Sequence, residues 1–527
     1  MPINWIDYSI IILYLFVVVY IGWWAMKKVS NFDDYAVAGR GLPMSIFFAA
    51  IAATLCGGGA TIGRVAFMHT TGIVVFAGLM GVVINQIFSG LYIAGRVHNI
   101  KNVYGLGDLC GLYYGHAGRL VSAVVSFLFC LGLFGVQILA MGAIMQTATG
   151  IDLIPAALIS SAITLAYTCC GGMLGVTMTD AIQYVIIIVG ISLCGWLAID
   201  HAGGFDVMMA NLQAAPAYVD NLKIFADWSP IQVVSLFFGF LFGEFCAPYF
   251  IQRYASTKSA KDSKAGVLIF SVHWIFFLAT TAGIGLASMA LQPDVKPDLA
   301  FTNLIRDVLP VGITGLVLAA LLAAVMSSAA AFINTACVSY TRDIYNKFIN
   351  PQATQAQMLR QSRLSTLVVG GGAILAAITF QDVFGLMLYV FKLWPSTIIP
   401  PLLCGLLWGR ISPYAGAPAM VIGGLSYLLW SDKVLGEPFG IPANLVGMGI
   451  NCLVLFVIHQ LMKNRPPRSG MYAPEQLQSE PVHAIIQETP MLEFTKILIY
   501  TSFVLNIACG VWVFFGIIGW VRDLRKN

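Results

Sequence analysis

Apolar runs long enough to cross a bilayer recur along nearly the whole chain, each closed by a short polar turn. A spanning helix needs about 20 apolar residues, and we count roughly 13 or 14 such runs. Of the 527 residues, 59% are hydrophobic and only 10% are charged, far more apolar surface than a soluble core hides. Lipid is therefore the solvent for most of these side chains, and the chain reads as an all-α polytopic protein of the cell membrane. The start, Met1-Pro-Ile-Asn-Trp5, has no basic segment and no small-residue cleavage motif, so the first run is expected to remain as the first span.

The formal net charge of +4 decides little, because orientation follows from which loops carry Lys and Arg. With the N-terminus outside, the inner loops collect roughly nineteen of the 28 Lys and Arg, from Lys27 and Lys28 through Arg119, Arg253 and Lys347 to Arg468. A final apolar run from about Lys496 to Trp520 leaves Arg522, Arg525 and Lys526 outside, against that bias, so the last helix is left unoriented. The 11 Cys lie mostly in apolar runs without a C-x-x-C pair, which argues for packing residues rather than disulfides or a zinc site. No H-E-x-x-H, no G-x-S-x-G and no cluster among the 7 His marks an enzyme, and no appended signalling domain marks a sensor.

Two spans carry interruptions. Ile51-Ala-Ala-Thr-Leu-Cys-Gly-Gly-Gly-Ala60 holds three consecutive glycines, each about 1 kcal/mol worse than Ala in a helix. Gly243-Glu-Phe-Cys-Ala-Pro-Tyr249 places Glu244 in an apolar run and removes a backbone N–H at Pro248. Irregular backbone is tolerated at membrane depth only where it lines a cavity or binds a ligand, and carriers place their sites at broken helices. The bland alternative is tight glycine packing plus an ordinary proline kink. The breaks fall five spans apart, in the leading helices of spans 2 to 6 and 7 to 11, as two inverted repeats require. The expected organisation is a first helix and cytoplasmic loop at 1–43, five-helix repeats at 44–228 and 229–410, and trailing helices at 411–527 with a polar cytoplasmic linker at 464–493.

The ninth span contains Ser327 and Ser328 as adjacent hydroxyls, one turn after Ala324. Hydroxyls and freed carbonyls suit a hard cation such as sodium; the alternative is that both serines bond back onto their own helix.

Ala324-Val-Met-Ser-Ser328 with Arg342-Asp-Ile-Tyr345, Gly171-Gly-Met-Leu-Gly-Val-Thr-Met-Thr-Asp-Ala-Ile-Gln183 and Tyr249-Phe-Ile-Gln-Arg253 together resemble the motifs of the sodium:solute symporter family. The resemblance runs in order over about residues 5 to 460. It implies a LeuT-like 5+5 inverted repeat, with one preceding helix and two or three trailing ones, and sodium-coupled symport of a small solute by alternating access. It also implies a sodium site made by the carbonyls of Ala53, Cys56 and Ala324 and the hydroxyls of Ser327 and Ser328. Some family members bind another sodium with two further hydroxyls, but those positions are Ala330 and Ala331 here; the Asp that assists that site is present as Asp180. One sodium per cycle is expected, with Asp180 bracing the inner helix ends. The glycine run resembles that of the choline transporters, yet Leu55 and Ala247 stand where their aromatic cage has Trp, which disfavours a quaternary ammonium.

Charge within the spans gives the substrate reading. Arg64 lies one turn past Ala60, and Lys392 lies inside the eleventh span; intramembrane cations usually mark a substrate or its pathway. A new helix N-terminus near Ala60 adds amide donors suited to a carboxylate. The expected substrate contacts are Gly57, Gly58, Gly59, Ala60, Arg64, Glu244 and Lys392, with Tyr249 beneath the solute. The solute is then an organic acid or an amino acid. The alternative is a neutral or cationic solute, with Arg64 paired to Glu244 and Lys392 snorkelling or paired to Asp382. The expected partners are this solute, sodium and the lipid bilayer, with no nucleic acid; the sequence assigns no oligomeric state.

Overall fold

The computed structural model describes residues 4–215, 218–223, 228–379, 383–408, 411–432, 434–465 and 506. The helices that build its centre are, in chain order, α1 (Trp5–Met26), α2 (Met44–Leu55), α3 (Ile62–Thr71), α4 (Leu106–Thr149), α5 (Leu153–His201), α6 (Pro230–Gly243), α7 (Pro248–Ser256), α8 (Ala260–Leu291), α9 (Ile313–Ser339), α10 (Val383–Thr397) and α11 (Gly416–Trp430). The linker expected at 464–493, Asp382 and nearly all of the last apolar run lie outside the described residues.

Helix α1 shows how the elements sort. Its buried stripe, Asp7, Ile11, Tyr14, Val18, Gly22 and Ala25, recurs every three or four residues, whereas Ile12, Leu13, Phe16, Val19 and Tyr20 are exposed. An apolar outer face and a more polar inner one invert the pattern of a soluble helix. The buried carboxylate of Asp7 accepts from the amides of Gly312 at 2.7 Å and Gly315 at 2.8 Å, so α1 caps the N-terminus of α9. Almost wholly buried, α9 is the central post against which α5, α4, α1 and α2 pack.

At 49 residues, α5 is more than twice as long as a bilayer requires. Gly172 breaks it at φ 52, ψ −153, and an added Cβ there would also meet the ring and carbonyl of Tyr35. On one arm Tyr167 donates to the Met326 carbonyl at 3.0 Å; on the other Gln183 donates to the Tyr14 hydroxyl at 2.8 Å, beside the sulfur of Met326. Residues on either side of Gly172 thus reach the same level, and the two arms form a hairpin.

Among the described residues eight helices pass as spans by length and composition, or nine if Met387–Thr397 and Ile399–Trp408, bent by 51°, count as one. The sequence count is higher because turns such as Gly172 join two spans into one continuous element, because the apolar helices Met44–Leu55 and Gly416–Trp430 are too short to count alone, and because nearly all of the last apolar run lies outside the described residues.

Both interruptions are real breaks. Helix α2 ends at Leu55 and α3 begins at Ile62; α6 ends at Gly243 and α7 begins at Pro248, the first-turn position where a missing N–H costs least. On the inner side the two broken spans are tied by the Leu42 amide on the Ser256 carbonyl at 3.1 Å and the Lys258 amide on the Leu42 carbonyl at 3.0 Å.

Candidate functional site

The break after α2 is a tight turn held from outside. The amides of Ala60 and Thr61 fold back onto the Gly57 carbonyl, and the Gly58 amide donates to Gln137 Oε1 on α4 at 2.8 Å. The glycines are close-approach residues: a Cβ on Gly57 would overlap the Ser328 hydroxyl, one on Gly58 the Ala140 methyl, and one on Gly59 the Met387 sulfur. The backbone of the break is thereby pressed against α9, α4 and α10 at once. In the second break Cys246 adopts φ 51, a left-handed conformation costly for a residue with a Cβ, and the Trp394 indole holds the Phe245 carbonyl at 2.9 Å.

Between the breaks lies a cavity of about 40 Å³, lined by Gly57, Gly59, Ala60, Arg64, Gln137, Phe240, Glu244, Trp274, Phe332, Met387 and Phe391 among others. At roughly 10–15 Å³ for each water it has room for a few waters as it stands, less than an amino acid needs. Two opposite charges face it. Arg64, 4% exposed, donates to the Thr281 hydroxyl at 3.1 Å and lies over the Trp274 ring at 5.2 Å. Glu244, 8% exposed, accepts from the Tyr249 hydroxyl at 2.8 Å. Among the described residues the two charges form no ion pair within 4.0 Å of each other.

An oxygen cluster lies immediately inside the first break. Ser327 Oγ is 2.9 Å from the Ala53 carbonyl and 2.9 Å from that of Ala324; Ser328 Oγ is 2.6 Å from the Thr54 carbonyl and 3.0 Å from that of Ala324. Five neutral oxygens thus converge from α2 and α9 with no carboxylate between them, a donor set that fits a hard monovalent cation. The serines do bond back onto their own helix, at Ala324, and they bridge to α2 at the same time. The Thr54 hydroxyl accepts from Arg253 Nη2 at 2.7 Å, and the same nitrogen lies 3.0 Å from Asp180 Oδ2, both side chains fully buried. The partner of Asp180 is thus Arg253 on α7, in the second broken span.

The family model for the sodium:solute symporter family matches residues 35–424. The chain belongs to the sodium:solute symporter family. The symporter is 25% identical over 474 residues to the osmoregulated proline transporter OpuE of Bacillus subtilis, covering 87% of this chain and 95% of that one. It is 26% identical over 439 residues to the sodium/proline symporter of Escherichia coli, covering 80% of this chain and 86% of that one. Among solved structures, an outward-open, substrate-bound sodium-coupled sialic acid symporter superposes with a TM-score of 0.73 at 20% identity, over 87% of this chain and 98% of the other. Mhp1, a nucleobase-cation-symport-1 family transporter, superposes with a TM-score of 0.52 at 16% identity, over 81% of this chain and 92% of the other. The fold is LeuT-like, the protein is a multi-pass transporter of the cell membrane rather than an enzyme, and sodium is the family's coupling ion.

Against the sequence reading, the symporter's structure rearranges several contacts. Ser328 faces the carbonyl of Thr54; among the described residues neither serine hydroxyl bonds to the carbonyl of Cys56. The Gly58 amide is occupied by Gln137, and Gly58 is not among the residues lining the cavity. Tyr249 does not line it either: its hydroxyl anchors Glu244 and its ring packs on Phe332 at 5.1 Å, so Phe332 supplies the aromatic wall. Lys392 is half-buried next to the lining residue Phe391 but outside the lining itself, because neighbouring residues on a helix diverge by about 100°. Gln137, Trp274 and Thr281 were not expected from the sequence. A signal for Gln137 was present, a lone amide in the apolar run Phe134-Gly-Val-Gln-Ile-Leu139, since polar groups in spans mark partners or pathways. Trp274 and Thr281 carry no such mark.

Proposed function

We propose that this symporter couples sodium entry to uptake of a small carboxylate-bearing solute, an organic acid or an amino acid. The observation that carries the reading is Arg64: a guanidinium buried at membrane depth, lining the central chamber beside the broken helix, with a neutral hydroxyl and an aromatic face as its contacts. Desolvating such a charge is worthwhile where an anion meets it. Glu244 on the far element, held on one oxygen by the Tyr249 phenol and facing the chamber, is placed to take an ammonium on the same solute. The proline named for the bacterial relatives carries both groups, which favours an amino acid within this class.

In the proposed cycle the coupling ion is held by the carbonyls of Ala53, Thr54 and Ala324 and the hydroxyls of Ser327 and Ser328. This joins α2 to α9 and sets the glycine turn that borders the solute. Since the chamber is smaller than the solute, binding requires Phe240, Phe332, Met387 or Phe391 to move, the role that gating around a fixed central site gives to side chains above and below it.

The test is uptake by purified protein in liposomes under an inward sodium gradient, against labelled organic acids, amino acids, sugars and amines. Arg64→Ala is expected to abolish acid and amino-acid uptake, Arg64→Lys to keep part of it because charge survives without the planar fork, and Glu244→Gln to impair amino acids more than acids. Normal transport by the Arg64→Ala, Glu244→Ala double variant would refute the reading and leave the two charges as a structural pair.

A further inference from the structure

A second cavity, of about 790 Å³, opens at the inner end of the molecule, away from the transport chamber. Its walls are the start of α4, the end of the turns that continue α9, and the start of α11. The orientation read from the Lys and Arg distribution places all three of these ends on the cytoplasmic side. The volume lies within the roughly 300–1,000 Å³ typical of sites for small molecules.

The chemistry of the walls is split. His116, Arg119 and Lys347 line one side, and no acidic side chain lines the cavity among the described residues. Arg119 is already engaged by Asp108 at 2.6 Å and Asp343 at 2.7 Å, and Arg342 lies 3.5 Å from Asp108, so two guanidiniums balance two carboxylates. Lys347 is left over: it is exposed and forms no ion pair within 4.0 Å among the described residues, with His116 beside it. On the other side Val421 and Ile422 are exposed apolar residues. From that edge two apolar ladders run toward the membrane centre, Leu120, Val124 and Leu128 on α4 and Leu425 and Leu429 on α11, all exposed. The two helices meet at the base of the groove, where Gly416 packs against the Tyr114 ring.

We propose that this groove is a binding site for an anionic phospholipid of the inner leaflet, its phosphate on Lys347 and His116 and its acyl chains along the exposed ladders of α4 and α11. An unbalanced cation at headgroup depth attracts anionic lipid, and basic pockets between helices on the cytoplasmic side hold such headgroups. A soluble anion would use the cation but not the apolar edge; the continuity of the two is what selects a lipid. The contact has a mechanical meaning as well, because Lys347 continues the helix of the oxygen cluster and α4 carries Gln137, which holds the glycine break.

The experiment is native mass spectrometry of the full chain in detergent, titrated with phosphatidylglycerol or phosphatidylcholine, for the wild type, Lys347→Ala, Lys347→Glu and the Lys347→Ala, His116→Ala double variant. The wild type is expected to retain phosphatidylglycerol in preference to phosphatidylcholine. Lys347→Ala is expected to weaken retention about fivefold, Lys347→Glu more, and the double variant more than Lys347→Ala alone. Glycerophosphoglycerol, the headgroup without chains, is the competitor and is expected to displace nothing. Equal retention by the wild type and Lys347→Glu, each with unchanged thermal stability in lipid-free detergent, would overturn the proposal. Efficient displacement by glycerophosphoglycerol would also overturn it, in favour of a soluble anion.

Discussion

Ser328 offers the sharpest perturbation of the ion cluster. Its hydroxyl is fully buried, 2.6 Å from the Thr54 carbonyl and 3.0 Å from the Ala324 carbonyl, and it joins segments 274 residues apart. If this oxygen is a sodium ligand, Ser328→Ala removes one neutral contact to a buried cation. Hydrogen bonds to charged groups contribute about 1.5–3 kcal/mol net, and we take the same scale for this contact. At about 1.4 kcal/mol per tenfold, the half-saturating sodium concentration should rise about 10- to 150-fold. The assay is initial uptake in liposomes against external sodium at fixed membrane potential. A thermal-shift titration runs alongside it, since a ligand that binds the native state stabilises it by RT ln(1 + [L]/Kd). Both curves should move by the same factor, which separates lost ion affinity from lost folding. Ser327→Ala should behave alike, and Cys56→Ser should leave sodium dependence near wild type. Sodium activation unchanged in both serine variants would refute the assignment of the cluster.

Thr54→Val keeps the backbone carbonyl and removes only the hydroxyl that meets Arg253, so it should lower thermal stability while sodium half-saturation stays near wild type. Asp180→Asn breaks a fully buried ion pair and should cost about 3–5 kcal/mol of stability by denaturation; a loss under 1 kcal/mol would show that the pair contributes little. With Ala330 and Ala331 lacking side-chain oxygens, the Hill coefficient for sodium is expected near one, on the order of single-site binding; a slope approaching two would reveal another site. Gly58→Ala drives a methyl into Ala140 beside the Gln137 bond, and should reduce stability by about 1–3 kcal/mol; normal stability would show that the turn can shift.

Much of the architecture was legible from local chemistry. The apolar runs fixed the class, since lipid leaves the backbone no other partner than its own helix. Gly57 to Gly59 and Pro248 located both breaks within a residue or two, because the cost of glycine or proline in a helix is paid where the residue stands. The two serines stood out as adjacent hydroxyls in an apolar helix for the same local reason. What the sequence alone left open was partnership. Nothing in the spacing along α2 says that Thr54 rather than Cys56 meets Ser328, that Arg64 turns to Thr281 and Trp274, that Tyr249 anchors Glu244, or that Arg253 reaches Asp180. Most of these contacts join segments far apart in the chain, so their register is set by how whole helices rotate and slide against one another. A shift of one residue turns a helix by about 100° and exchanges one partner for another. That choice rests on close packing, on glycines that let backbones touch and on helices that must each fill the space the others leave, and only the tertiary structure makes it.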